Sequence, residues 1–580
     1  MSLHALQKAK DLHDLARILS YEPKALSYVL YVKKPQYTSF TIPKSSGAPR
    51  HIAAPCDELK ALQRKVKRLM DSCIASIELQ GPAQGTLAHG FKKGHSIITN
   101  AEPHKRRRFV FNIDITDFFG SIHVGRVRGF LITNKSFQLA PKVATILAQI
   151  MCHENSLPQG APTSPVASNL IGHLIDIRLV SLAAKFGCIY SRYADDITFS
   201  TNKKDFPSSI AIEVDENEWV PGTTLLKIIY KCGFSLNHKK TRMQYSDNQQ
   251  TVTGLVVNKS INAPAQYRRQ VRAMLHKLFL DGNYHRKDEP KYKAHANSTI
   301  YDYKSLEPLE GMLSYLYMIN NFKMDKLSAN GKIRKEDIKR TSLEDLHGDF
   351  LFYKNFYANK KTTILCEGKT DNVYLSCAIK SLHKKFNRLA KTTNGKVELK
   401  TNFINYSKLT HRILDLNGGT ADIASLIRNY AKRCGKFKAH PPSQPTIIVV
   451  DNDSGSDPIF KAIKDTTGKR YEIANGRGTT FDKSRPVYYV AQNLYVVLTP
   501  LRNGQDTMME DFFSKNILKT KLDGRNFEVY KKGLPGKTYS KHTFSQKVIK
   551  AQQKRKIFNG FVPILSSISA AVVDFSKLKP

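Results

Sequence analysis

Three regimes of hydrophobic and polar patterning follow one another along the chain. Up to about residue 255, helical stretches alternate with short β-prone runs at 109–115, 189–199 and 251–257. From about 258 to 350 the chain is rich in lysine and reads as helix, with runs at 267–279 and 306–318. A second β-rich block opens at 362 (TTILCEG) and returns at 446 (TIIVVDND), with helical sequence between them. Strand, helix, strand at that spacing predicts βαβ units and a parallel sheet. The polar, charged stretch 320–360 reads as a linker, and no internal repeat is visible. The N-terminal segment MSLHALQKAKDLHDLARILS carries His, Asp and Lys where a signal peptide needs an apolar core, so it predicts an amphipathic helix. No run reaches the ~20 uninterrupted apolar residues of a membrane span. The most apolar tail segment, 558–575, is broken by Pro563 and serines and reads as core.

Composition narrows the class. The 580 residues allow about three to five domains. A hydrophobic fraction of 41% with 10% aromatics excludes a disordered or fibrous chain. Lys and Arg number 91 against 49 Asp and Glu, a formal charge of +42, which points to a polyanionic partner, first of all nucleic acid. A membrane surface is the rival polyanion, but no uninterrupted apolar run long enough to span accompanies the charge. The eight cysteines are scattered without a CxxC pair, which argues against a zinc ribbon or a disulfide scaffold and for a reduced, cytoplasmic setting. Residues 531–556 hold nine Lys or Arg and no carboxylate, a run that reads as a solvated face.

Two carboxylate constellations carry the candidate chemistry. In FNIDITDFF (111–119) and YSRYADDITFS (190–200), Asp114 ends one β-prone run, and Asp195 and Asp196 sit where two strands would meet in a tight turn. Like charges bracketed by hydrophobics are costly to bury without a cation. The pattern therefore reads either as a divalent-metal site, two Mg2+ held by carboxylates from neighbouring strands, or as an acidic surface turn. The flanking motifs settle the choice by resemblance. YADD (193–196), LPQGAPTSPVASN (157–169), FTIPKSSGAPRHIAAP (40–55) and GFSLNHKKT (233–241) resemble, in order, the palm signature, nucleotide-positioning motif, fingers strand pair and following lysine motif of reverse transcriptases. The resemblance spans about the first 320 residues. It implies that Asp114, Asp195 and Asp196, with the Ile115 carbonyl, hold the metals. It also implies that Phe119 is an aromatic gate excluding a ribose 2′-OH, and that Lys44 and Arg50 clamp the triphosphate. Gln159 and Gly160 would pack on nucleotide and template, and Lys240, with Lys239 adjacent, would protonate pyrophosphate.

Asn100-Ala101-Glu102-Pro103-His104 and Val252-Thr253-Gly254 resemble the NAxxH and VTG elements of retron reverse transcriptases. That resemblance implies RNA-binding roles for Asn100, His104, Val252, Thr253 and Gly254. It implies deoxynucleotide substrates and a cognate noncoding RNA, primed from a guanosine 2′-OH and kept as a branched RNA–DNA product (msDNA). The basic region 258–320 would grip A-form RNA by shape. A homo-oligomer bridged by msDNA and a bacterial cytoplasmic location are further expectations.

The second constellation is Glu367 at the end of TTILC, Asp371 four residues on, the Gly418-Gly419 pair, and Asp451 and Asp453 after the run 446–450. Acids at the C-terminal ends of parallel strands converge on one edge of a sheet. Each fragment read singly is equally a helix cap or turn. Together they resemble the Toprim domain of topoisomerases, primases and OLD-family nucleases over roughly 360–500. The resemblance implies metal or acid–base roles for Glu367, Asp451 and Asp453, with one or two Mg2+, and Glu510 in MMEDFF as a further acidic element. No room remains for a topoisomerase's tyrosine domain, so a nuclease effector for antiphage defence is the expectation. The fold expected is thus an α+β right-hand polymerase followed by an α/β Toprim domain with a parallel sheet. Its parts are fingers 1–108, palm 109–257, thumb and RNA-binding region 258–325, linker 326–360, Toprim domain 361–505 and a basic extension 506–580. The rival readings are a group II-like or diversity-generating reverse transcriptase with a processing nuclease, and a non-catalytic RNA scaffold.

Overall fold

The computed structural model describes residues 3–34, 36–43, 49–80, 88–284, 305–329, 331, 333–467, 471–473, 476–478, 482–528, 538–552 and 557–578. The chain divides into two compact units, one running to Arg268 and the other from Arg269 onward.

In the first unit, β1 (Tyr37–Pro43) and β2 (Pro49–Pro55) form an antiparallel hairpin. A four-stranded antiparallel sheet follows from β3 (Phe109–Asp114), β4 (Ile189–Tyr193), β5 (Asp196–Thr201) and β8 (Arg242–Tyr245), in the order β4-β5-β3-β8. Between β5 and β8 lies the hairpin of β6 (Ala211–Asp215) and β7 (Glu218–Pro221), and after β8 the short hairpin of β9 (Thr251–Val252) and β10 (Leu255–Val256). Central β3, FVFNID, is buried along its whole length, as a strand with neighbours on both edges and packing on both faces must be. The helix Ser164–Lys185 packs against β4.

The second unit is built on a seven-stranded sheet. Its strands are β11 (Thr362–Cys366), β14 (Thr401–Phe403), β15 (Thr446–Val450), β16 (Tyr471–Ile473), β17 (Gly476–Gly478), β18 (Val487–Ala491) and β19 (Leu494–Leu498), in the order β14-β11-β15-β19-β18-β16-β17. A separate hairpin, β12 (Ala390–Thr393) with β13 (Lys396–Leu399), stands between β11 and β14 in sequence. The pairs β14–β11, β11–β15 and β15–β19 are parallel, and the remaining strands join antiparallel. Both β11 and β15 are wholly buried, matching their unbroken apolar runs.

One expectation is corrected here. The stretch 326–360 is not a linker: it folds into the helix Ser342–Phe352, opened by a Thr341/Glu344 capping box, and a π-helical turn Tyr353–Tyr357. Phe350, Phe352 and Phe356 have no exposed surface, and Glu344 pairs with Arg412 at 3.1 Å within the same unit. The aromatic run FLFYKNFY outweighs the polar residues before it. The region expected as thumb and RNA-binding region, 258–325, falls largely in the second unit, where Phe279 packs on Phe437 and its carbonyl accepts from Lys438 N–H at 2.8 Å. Residues 285–304 of that region lie outside the described residues. The basic extension 506–580 is integral to this unit: Phe513 and Phe544 join the core built around β11, β15 and β19, and Phe558, Phe561 and Ile568 lie in it as the core reading of 558–575 expects.

Two helices, Ser164–Lys185 and Asn559–Leu578, are long and apolar enough to cross a membrane by length and composition alone, contrary to the expectation that no stretch qualifies. Their mean hydropathy survives isolated polar residues that break an uninterrupted run. Both are packed within their own units. The first carries Asp176, 1% exposed and ion-paired to Arg192, and the second buries Ile564, Leu565 and Ile568.

Candidate active sites

The first site stands at one end of β3. Antiparallel register places Asp114 opposite Asp196, and Tyr193 opposite Asp196 across the β4–β5 hairpin, leaving Ala194 and Asp195 as the turn. Ala194 takes φ +57, the left-handed conformation that a two-residue turn demands. The turn is pinned from both sides. Ile115 N–H donates to the Asp195 carbonyl at 3.0 Å, and Asn237 N–H to the Asp114 carbonyl at 2.8 Å. Beneath it, Arg192 has no exposed surface, forms a two-pronged pair with Asp176 at 2.7 and 2.8 Å, and donates from Nη1 to the Ala194 carbonyl at 2.9 Å. Tyr190 OH donates to the same Asp176 at 2.6 Å.

Burial and the neighbouring Asp114 charge raise the pKa of Asp195. Asp196, whose outer edge faces solvent, is pushed up to about 6 by desolvation and then by Asp195 and Asp114. Opposing them, Lys240 Nζ lies 2.8 Å from Asp114 Oδ2, and this hydrogen bond raises the lysine's pKa. Among the described residues no three His, Cys, Asp or Glu side chains stand as a group that could hold a metal ion. At this site Lys240 supplies the counter-charge. By chemistry the donor set fits a hard divalent cation, being all carboxylate and carbonyl oxygen, with the mutual repulsion of the acids only partly relieved by Lys240.

The other expected residues fall around this point. Arg50, on β2, is close enough for its charge to lower the Asp195 pKa. Lys44 lies outside the described residues. Ala53 N–H of β2 donates to the Gln159 carbonyl at 2.9 Å, and a Cβ on Gly160 would fall 2.8 Å from the Ala53 carbonyl oxygen, so only glycine fits. Phe119 packs edge-on against buried Phe118, ring centroids 5.7 Å apart.

Asn100, His104 and Val252 are corrected as RNA contacts. Asn100, His104 and Val252 have no exposed surface, and a side chain without surface can position but not touch a ligand. His104 is a strut: its ring nitrogens sit 2.7 Å from Ser200 Oγ of β5 and 2.7 Å from Ser191 Oγ of β4, tying together the two strands of the YADD hairpin. Thr253 and Gly254 form the turn of the β9–β10 hairpin, both with positive φ. Gly254 is exposed and Thr253 half-buried, so they alone of the five present surface to solvent.

The second site gathers at the C-terminal edge of the parallel strands. Glu367 follows β11 and Asp451 follows β15, side by side because those strands pair. Gly418 and Gly419, at φ +105 and +94, bring their loop against the Glu367 backbone, with Gly419 N–H donating to its carbonyl at 3.2 Å. Asp371 caps its helix through Gly368 N–H at 2.8 Å, and Asp451 Oδ1 accepts from Met509 N–H at 2.8 Å. Glu510, 2% exposed, is held by Lys541 Nζ at 3.0 Å. The crowding shows in the acidities. Burial, then Asp371, Glu510 and Glu367, push Asp451 up to about 8. Burial, then Asp371 and Asp453, push Glu367 up to about 6, and Glu367 Oε2 is buried without a hydrogen-bond partner. Five carboxylates crowd here around Lys541; their oxygen chemistry is of the kind a hard cation takes, although among the described residues no three of them stand as a metal-holding group.

Part of this arrangement escapes sequence reading. Lys541 is hidden inside the basic run 531–556, where nothing distinguishes it from its neighbours. Asp371, read in the sequence as part of the second constellation, is found there, but its capping of Gly368 N–H is not legible in the sequence. The Arg192–Asp176 pair leaves one trace, a lone aspartate on the buried face of an apolar helix.

The sequence matches the family described as "Reverse transcriptase (RNA-dependent DNA polymerase)" over residues 42–270. It is 34% identical to the retron Mx65 reverse transcriptase of Myxococcus xanthus over 313 residues, 51% of this chain and 65% of that protein. It is 33% identical to the retron Ec86 reverse transcriptase of Escherichia coli over 273 residues, 46% of this chain and 78% of that protein. A solved telomerase from Candida albicans with a fragment of telomeric RNA overlaps 56% of this chain and 59% of that one at 11% identity, with a TM-score of 0.31, too slight a likeness to bear on the fold.

Proposed function

The chain belongs to the retron reverse transcriptases, and on that premise we propose that its first unit is an RNA-directed DNA polymerase that copies a cognate noncoding RNA into branched msDNA, starting from a guanosine 2′-OH. The observation that carries this reading is the apposition of Asp114 and Asp196 across β3 and β5, with Asp195 on the adjoining turn and Lys240 against Asp114. Mg2+, when bound, supplies charge neutralisation and Lewis-acid polarisation of the phosphates, and Asp114, Asp195, Asp196 and the Ile115 carbonyl are the groups that would hold it. This chain's own residues do the rest. Phe119 would bound the sugar, Arg50 and Lys44 would meet the triphosphate, and Lys240 would give the departing pyrophosphate its proton. Arg192, His104 and Asp176 hold the hairpin that presents the acids.

We infer that the second unit is a Toprim-like nuclease, the effector of an antiphage system, restrained while msDNA is bound and released when it is damaged. The five-carboxylate cluster at the edge of parallel strands, with Lys541 able to steady a phosphate, supports this. Bridging of protomers by msDNA belongs to the same proposal. The group II-like alternative predicts heterogeneous cDNA, whereas this reading predicts one uniform branched species among co-purified nucleic acids. Primer extension tests the first unit: Asp195→Asn is expected to abolish synthesis, and parental activity would discard the polymerase assignment. Asp451→Ala with Asp453→Ala is expected to leave msDNA synthesis intact while ending phage defence; retained defence would remove the effector proposal.

A further inference from the structure

We propose that Phe91 is a specificity-determining residue of the polymerase site, the outer wall that keeps the Phe119 ring against the sugar of the incoming nucleotide; this rests on the polymerase reading above. Phe91 is conspicuous for two unfavourable properties at once. Its backbone takes φ +60, which a bulky side chain rarely adopts, and the residue is 51% exposed, so neither local preference nor burial accounts for it. Strain of this kind persists only where the surroundings over-determine it, and it collects at functional sites.

The surroundings do over-determine it. His89 N–H donates to the Arg192 carbonyl at 2.8 Å, and Asn169 Nδ2 donates to the Gly90 carbonyl at 2.8 Å. Gly90 lies so close to the YADD turn that a Cβ there would fall 2.7 Å from the Ala194 nitrogen. The loop is thus locked to the turn that carries Asp195, and Phe91 is held out from it in a fixed direction. That direction is toward Phe119: the ring centroids are 6.2 Å apart at 58°. Phe119 also meets Phe118, which is 3% exposed and packs on Phe234. A gate excludes ribose only if its ring cannot swing aside when a 2′-OH presses on it. Phe118 blocks inward motion, and the more exposed Phe91 blocks outward motion.

Single-nucleotide incorporation by the full-length protein with Mg2+, comparing kcat/KM for dNTP and rNTP, tests this. Phe91→Ala is expected to lower discrimination against rNTP about three- to tenfold, the rate equivalent of one aromatic pair, and Phe91→Tyr to restore it. Phe91→Asn, which tolerates the left-handed backbone, is expected to keep or raise the melting temperature while losing discrimination, separating the ring from the strain. If Phe91→Ala and Phe91→Asn keep the parental ratio while Phe119→Val lowers it, the inference is overturned and the polymerase reading stands. A parent protein that incorporates no nucleotide overturns the polymerase reading and this inference with it.

Discussion

His104 is buried between two serine hydroxyls that turn to match whichever ring nitrogen carries the proton, an arrangement that suits a neutral imidazole and offers a charged one no carboxylate. Burial, then the charges of Arg107 and His89, push its pKa down to about 3. As pH falls, the unfolded chain takes up this proton first. The strut's stability is therefore whole above about pH 6.5 and is lost between there and about pH 3, at roughly 1.4 kcal/mol per unit. His104→Gln, which does not titrate, is expected to flatten this acid arm in urea unfolding followed across pH; parallel curves for parent and variant would contradict the assignment. The NAxxH spelling is visible in sequence, yet its role is not, because burial depends on which strands close over the ring.

At the scale of elements, the helix Val562–Leu578 separates packing from composition. Its hydropathy alone would suit a membrane, but Ile568 has no exposed surface in the core beneath the sheet while Leu578 is 55% exposed. Ile568→Ala is expected to cost about 2–5 kcal/mol in denaturant unfolding, and Leu578→Ala to fall within roughly 0.5 kcal/mol. Equal effects would contradict this packing. The strands were the most legible elements, because β3, β11 and β15 are short apolar runs ending in acids. The segment 326–360 is polar enough to resemble a linker, yet the aromatics of FLFYKNFY bury it, because apolar area removed from water outweighs the flanking charge.

For the whole molecule, a formal charge of +42 coexists with two clusters of carboxylates, so on the proposed function the phosphate backbone would be met by lysine and arginine and not by the acids. Binding of the cognate RNA is expected to weaken about 10³- to 10⁵-fold between about 50 and 200 mM salt, the range for six to ten neutralised phosphates. Asp195→Asn should leave that slope unchanged, since it removes chemistry without removing a phosphate contact. A flat salt response in filter binding would mean that the excess charge serves something other than the RNA backbone.

The one-dimensional pattern determined the parallel strands with their terminal acids, the Asp114 and Asp195-Asp196 pairing, and the polyanionic partner class, because strand period, turn chemistry and net charge are local or additive. Only the tertiary structure decided that Lys541 meets Glu510, that Arg192 is neutralised by Asp176, that His104 is a strut and that Phe91 faces Phe119. Each of these joins residues whose meeting depends on how distant elements pack, and a burial cost that selects the partner exists only once that packing has formed.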